Sequence, residues 1–228
     1  MTQAKERPIL FSAPMVRAIL EGRKTITRRE IKPSKRSADT QFELHQQPDG
    51  SWLPMHTFDE SCMDDQGAEH PITSPYGKPG DRLWVREAWQ ADAQVDSVTP
   101  RDLSQGEPIQ YPADGAYRQT GCSMITPGKT RPSIHMSRWV SRILLEITDV
   151  RVERLQAISE QQTLAEGIIP HVRGGWHWHL HDPSNVDDWH QFGFKSPVFA
   201  FQDLWISTGG DWDANPWVWV VEFKRVTP

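Results

Sequence analysis

Apolar and polar positions alternate along Ile143-Leu144-Leu145-Glu146-Ile147-Thr148-Asp149-Val150-Arg151-Val152-Glu153-Arg154-Leu155. A period near two is the spacing of a strand with one face in a core and the other in water, so the run predicts one long strand. Trp217-Val218-Trp219-Val220-Val221-Glu222-Phe223-Lys224, entered through Asn215-Pro216, predicts a closing strand. Arg82 to Trp89 predicts another, launched by the turn residues Pro75 to Asp81. Its Leu83, Val85 and Glu87 share one face, and Arg82, Trp84 and Arg86 share the other. Arg7 to Phe11 reads as a short first strand and Tyr111 to Arg118 as a further one. Three stretches read as helices instead. Ala13 to Glu21 follows Ser12 as N-cap, with Pro14 tolerated in its first turn. Ser159-x-x-Gln162 fits a capping box for a helix ending at Gly167, and Pro197 to Trp205 is the third.

Between these elements lie three polar excursions, at about 33–73, 92–110 and 170–197. The first carries the turn pair Asp49-Gly50, which predicts a hairpin at most. The third is rich in Gly, His and Trp. No repeat and no composition break marks a second domain, so residues 7–228 are expected to form a single one.

A hydrophobic fraction of 37% and a charged fraction of 24% over 228 residues are those of a soluble globular chain. The net charge of −5 argues against general binding of polyanions, which usually needs a basic excess. Cys62 and Cys122 lack paired spacing, so neither a zinc knuckle nor a disulfide framework is expected, and no cofactor is implied. No leader-like run and no apolar stretch of about 18 residues stands out, so a cytoplasmic protein free of membranes is expected. A monomer is the favoured oligomeric state.

The chemistry concentrates in Gly22-Arg23-Lys24-Thr25-Ile26-Thr27-Arg28-Arg29, which holds one lysine, two hydroxyls and three arginines. The helical pattern Met15-Val16-x-x-Ile19-Leu20 runs into it, and Gly22 stands where a helix ends. Lys24 to Arg29 then reads as a short extended segment at the mouth of a site. Residues three apart face opposite sides of a regular strand, so Lys24 and Thr27 converge only if the segment bends near Thr25. In a regular strand Thr25 would share the face of Thr27 and take the hydroxyl role. Each of these side chains also has a plain reading: a solvated turn lysine, an ordinary strand threonine, a solvated pair of arginines.

Taken in order, the helix followed by Gly22-Arg23-Lys24-Thr25-Ile26-Thr27-Arg28, then Pro79-Gly80-Asp81-Arg82-Leu83-Trp84-Val85, then Leu155…Ala165-Glu166-Gly167-Ile168, then Trp217-Val218-Trp219-Val220-Val221-Glu222-Phe223 resembles an ASCH domain of the PUA-like superfamily, of the phage and prophage type. The resemblance covers both ends and the middle of the chain but not the three excursions. It implies an α+β fold, a small mixed β-barrel flanked by helices. It also implies chemistry on RNA or nucleosides. Small bacterial ASCH proteins include amidohydrolases that release acetate from N4-acetylcytidine. Their catalytic lysine, threonine and glutamate fall on Lys24, Thr27 and Glu166. Other ASCH proteins are similar to ribonucleases or to RNA-binding regulators without chemistry, and those remain the competing expectations.

Around the implied triad, Arg23, Thr25, Arg28, Arg29, Glu87, Trp84 and Arg138 are candidates for holding the substrate. Glu87 reads equally as a buried partner for one of the arginines of the motif or as a surface residue. Arg131, His135 and Arg138 form a basic stretch that is either RNA-facing or plain surface. Trp84, Trp89, Trp139, Trp217 and Trp219 fit alternating strands and read first as core, with stacking on a base as the functional reading. His177, His179 and His181 alternate, as three metal ligands would on a strand, but an exposed His-rich loop is the plainer reading, and no metal is expected.

Overall fold

The computed structural model describes residues 4–32, 40–58, 70–119, 121, 123–180 and 192–226. Cys62, Cys122 and His181, with parts of the first and third excursions, lie outside the described residues.

The long alternating run becomes the axis of the fold. It forms a strand over Leu144–Arg154, and the closing run forms one over Trp217–Val226. The two pair antiparallel along their whole lengths, with one register shift between Glu222 and Phe223. Numbered in chain order, the strands are β1 Glu6–Leu10, β2 Ile26–Glu30, β3 Thr40–Gln46, β4 Trp52–Phe58, β5 His70–Pro71, β6 Arg82–Arg86, β7 Ile109–Tyr111, β8 Ala116–Arg118, β9 Leu144–Arg154, β10 Ile169–Pro170, β11 Trp176–His177 and β12 Trp217–Val226. The helices are α1 Ala13–Leu20, α2 Glu160–Ala165 and α3 Pro197–Ser207. The main sheet has the order β1-β6-β9-β12-β2, with β1 parallel to β6 and the other pairs antiparallel.

The α+β class holds, but the barrel does not close. Among the described residues β1 and β2, the two ends of the sheet, share no ladder. The carbonyl of Leu10 at the end of β1 is taken by a side chain, the Arg29 guanidinium, at 2.6 Å. A cavity lined by Leu10 of β1 and by Thr27, Arg28, Arg29 and Glu30 of β2 lies at this open seam.

The core of the sheet collects Ile9, Val16, Ile26, Leu83, Val85, Leu145, Ile147, Val218 and Val220, all nearly inaccessible. α1 packs Met15, Val16, Ala18 and Ile19 against it. α2 has the full capping box, with Ser159 accepting from the Gln162 backbone and the Gln162 side chain accepting from that of Ser159.

The excursions carry more structure than their polarity suggests. β3, β4 and β5 make a three-stranded sheet whose β3–β4 hairpin turns at Gly50, φ +82°. Residues 89–140 enclose a second core of Trp89, Ala91, Leu103, Ile109, Tyr111, Met136 and Val140. Leu103 and Ile109, in a stretch expected to be a polar loop, are buried there. The strand expected over 111–118 is instead a tight hairpin, β7 to β8, turning at Gly115. Residues 169–177 add the short pair β10–β11. Among the described residues, no helix is long and apolar enough to cross a membrane.

Candidate active site

Three elements bring the site together. α1 ends at Gly22, φ +73°, and the amides of Arg23 and Lys24 both donate to the Ala18 carbonyl. That tight exit bends the chain before β2 begins at Ile26. The chain thus bends ahead of the strand, and Lys24 and Thr27 both line one cavity. α2 is moored to the bend by a hydrogen bond from the Thr25 amide to the Ala165 carbonyl at 2.8 Å. Gly167, φ +103°, closes α2 so tightly that a Cβ there would sit 3.1 Å from Ala18 Cβ and 3.5 Å from Lys24 Cβ.

The ends of α1 and α2 thus deliver Lys24 and Glu166 to one point. Lys24 Nζ lies 2.6 Å from Glu166 Oε2, and donates also to the Glu166 and Ile26 carbonyls, each at 2.9 Å. Arg28 reaches the other carboxylate oxygen of Glu166 at 3.3 Å and Glu153 at 3.0 Å. Lys24 is 3% exposed and Glu166 2%. The ring of Phe11 lies 5.6 Å from the lysine nitrogen.

Burial lowers the pKa of Lys24, because the charged form loses its hydration. The Glu166 carboxylate opposes that shift, while Arg29 and Arg28 reinforce it, and the net direction is down. A lysine poised this way can act as a base.

The group sits in a cavity of about 680 Å³, within the ~300–1,000 Å³ of small-molecule sites. Lys24, Thr27, Arg28, Arg29 and Glu166 all line it. Among the described residues, no hydrogen bond engages the Thr27 hydroxyl. Apolar walls come from Phe11, Met15, Phe201, Leu204 and Trp219, with Tyr76 and Trp205 also lining the cavity. Burial raises the pKa of Tyr76, against the charge of Arg29.

The other candidates lie elsewhere. Thr25 is exposed and does not line the cavity, whereas Thr27 does. Arg23 pairs with Glu21 and caps the Gly167 carbonyl. Trp84 is buried beneath Arg86. Arg138 pairs with Glu6 at 2.8 Å. Glu87 is buried, the first of its two readings, but its partner is Arg142, bidentate at 2.9 Å for each bond, and not an arginine of the motif. Arg131 is buried on the carbonyls of Val95 and Val98. Among the tryptophans, Trp219 is core and cavity wall at once. His177, which is buried rather than in an exposed loop, meets His179 edge-on at 4.0 Å between ring centroids, and the described residues hold no cluster fit for a metal. Sequence reasoning passed over Tyr76, Trp205 and Glu153. Tyr76 sits in a turn read only for its shape, and Trp205 in a helix read only for its period. Glu153 lay in plain view as the polar member of the longest strand.

Comparison with models of known protein families, with curated proteins and with solved structures finds no match for this chain.

Proposed function

We propose that this protein is an ASCH-type amidohydrolase of the PUA-like superfamily, removing an acyl group from N4-acylated cytidine or a related modified nucleoside. The observation that carries the reading is the 2.6 Å contact between Lys24 and Glu166, 142 positions apart, on the wall of a ligand-sized cavity that Thr27 also lines. Neutral Lys24 takes the proton of the Thr27 hydroxyl as that oxygen attacks the acyl carbonyl. Arg28 supplies positive charge where the oxyanion develops. Glu166 orients the amine and relays the proton to the departing N4 nitrogen. Water then releases the acyl group from Thr27.

The test is deacylation of N4-acetylcytidine, followed by ultraviolet absorbance, with purified protein. Thr27→Val keeps the shape and removes the hydroxyl. It is expected to cost at least ~10²-fold in kcat. Full activity in that variant, with loss in Lys24→Met, would assign the attack to a lysine-activated water. No turnover by the intact protein on any N4-acyl cytidine rejects the reading.

A second reading is an RNA- or nucleotide-binding pocket without chemistry. It is favoured by one observation: all three hydrogens of the Lys24 ammonium already have acceptors. Nucleoside binding without turnover, unchanged in Thr27→Val, would select it.

A further inference from the structure

We infer that the cavity takes its substrate as a phosphorylated nucleotide, with the phosphate held by Arg29. The inference rests on the proposed reading for the nucleoside part and adds the charge that the substrate carries.

Arg28 and Arg29 are adjacent in sequence and different in circumstance. Register pairs Arg29 with Trp219 and Thr27 with Val221, so Thr27, Arg29 and Trp219 share one face of the sheet while Arg28 starts from the other. Arg28 is held between two carboxylates, Glu166 and Glu153. Lys24 has Glu166, and the exposed Lys32 has Glu30 at 3.8 Å. Among the described residues, Arg29 is the cavity-lining cation with no carboxylate in reach.

Its position is nonetheless fixed. Nη2 donates to the Leu10 carbonyl at 2.6 Å, and the guanidinium carbon stands 5.3 Å from the centre of the Phe11 ring. Nε is buried in protein without a partner. The free end is the Nη1 amine and the second hydrogen of Nη2, a two-pronged donor suited to two oxygens of one phosphate. Tyr76 lines the same cavity, with its hydroxyl under the influence of the Arg29 charge. A preorganised, uncompensated guanidinium beside the apolar surfaces of Phe11, Met15 and Trp219 fits a flat heterocycle that carries one anionic group. A neutral nucleoside would leave that charge unanswered. The phosphate can come from a free mononucleotide or from one unit of a single strand.

Calorimetric titrations with cytidine, 5′-CMP, 3′-CMP and a short oligocytidylate, none of which carries an acyl group, measure the phosphate contribution without turnover. One of the two monophosphates is expected to bind at least ~10-fold tighter than cytidine. The advantage should shrink at high salt, vanish in Arg29→Gln and return in part in Arg29→Lys, with melting curves run on both variants. The oligocytidylate binding more tightly than the monophosphate supports a strand as the source, and weaker binding supports a free nucleotide. Equal affinity for cytidine and both monophosphates overturns the inference, as does a phosphate advantage that survives Arg29→Gln, or the absence of binding by all four probes. Deacylation assays on N4-acetylcytidine and its monophosphates keep the two claims apart. A phosphate advantage in binding with no turnover sinks the amidohydrolase reading alone. Turnover with no phosphate advantage sinks this inference alone.

Discussion

At the scale of single residues, Lys24 is held between two demands. A buried ammonium needs its partners, while a base needs to lose its proton. Its lowered pKa places the acid limb of kcat/KM below the ordinary lysine value of 10.5. If the neutral amine is the working form, as the proposed mechanism has it, activity should rise with pH through that limb. Arg29 and Arg28 help to hold the pKa down, so Arg29→Gln should move the limb to higher pH, as a pH–rate profile would show. A limb that stays in place would mean that another group titrates. The pair also makes a stability prediction. Glu166→Leu leaves the Lys24 charge buried with carbonyls alone and should cost on the order of 3 kcal/mol in denaturant melts. Adding Lys24→Met to that variant should recover part of the loss, because no unpaired charge then remains. Losses that simply add would mean that the two side chains are not coupled.

At the scale of elements, the turn Gly167 is what lets α2 end against α1 and Lys24. Gly167→Ala meets two obstacles, a positive φ of +103° and a Cβ 3.1 Å from that of Ala18. It should destabilise by about 1–3 kcal/mol and lower kcat more than it raises KM, because Glu166 is displaced with the turn. An unshifted melting midpoint together with unchanged turnover would refute the role given to this junction. The sequence exposed most of this machinery. The alternation in β9 and β12, the capping box of α2 and the glycines at 22 and 167 were all legible, because each is a local pattern with a local cause. The contact of Lys24 with Glu166 was reachable only through the ASCH resemblance, since a separation of 142 positions leaves no trace in periodicity. The open seam was not legible. Which strands end a sheet unpaired is a matter of long-range topology, and alternation is silent on that. The second core was missed because its apolar residues are scattered singly through polar sequence, Leu103 and Ile109 among them.

At the scale of the whole molecule, Arg142 is one of the links between the two cores, beside the Arg17 bond to the Ala113 carbonyl. Arg142 lies just before β9, forks onto Glu87 beyond the end of β6 and onto Asp114 in the β7–β8 turn, and covers the Tyr111 ring at 4.0 Å. Tyr111 belongs to the second core and β9 to the first sheet. Burial raises the pKa of Glu87, and the Arg142 charge works against that rise. Replacing Arg142 by Met removes the opposition and strands a buried carboxylate, at a cost of about 3–5 kcal/mol near neutral pH. The sign of the pH dependence follows. A carboxyl whose folded pKa is raised above its unfolded value binds more protons when folded, so stability falls as pH climbs through that window. In Arg142→Met the rise is larger, and the penalty exists only while Glu87 is ionised. The difference in melting temperature between the intact protein and this variant should therefore be widest at neutral pH and narrow as the solution is acidified. If the second core hangs on this one guanidinium, the variant should also expose residues 89–140 to protease before the sheet is cut. A gap in melting temperature that is constant across pH, with an unchanged order of cleavage, would show that the cores are fastened together by something other than Arg142.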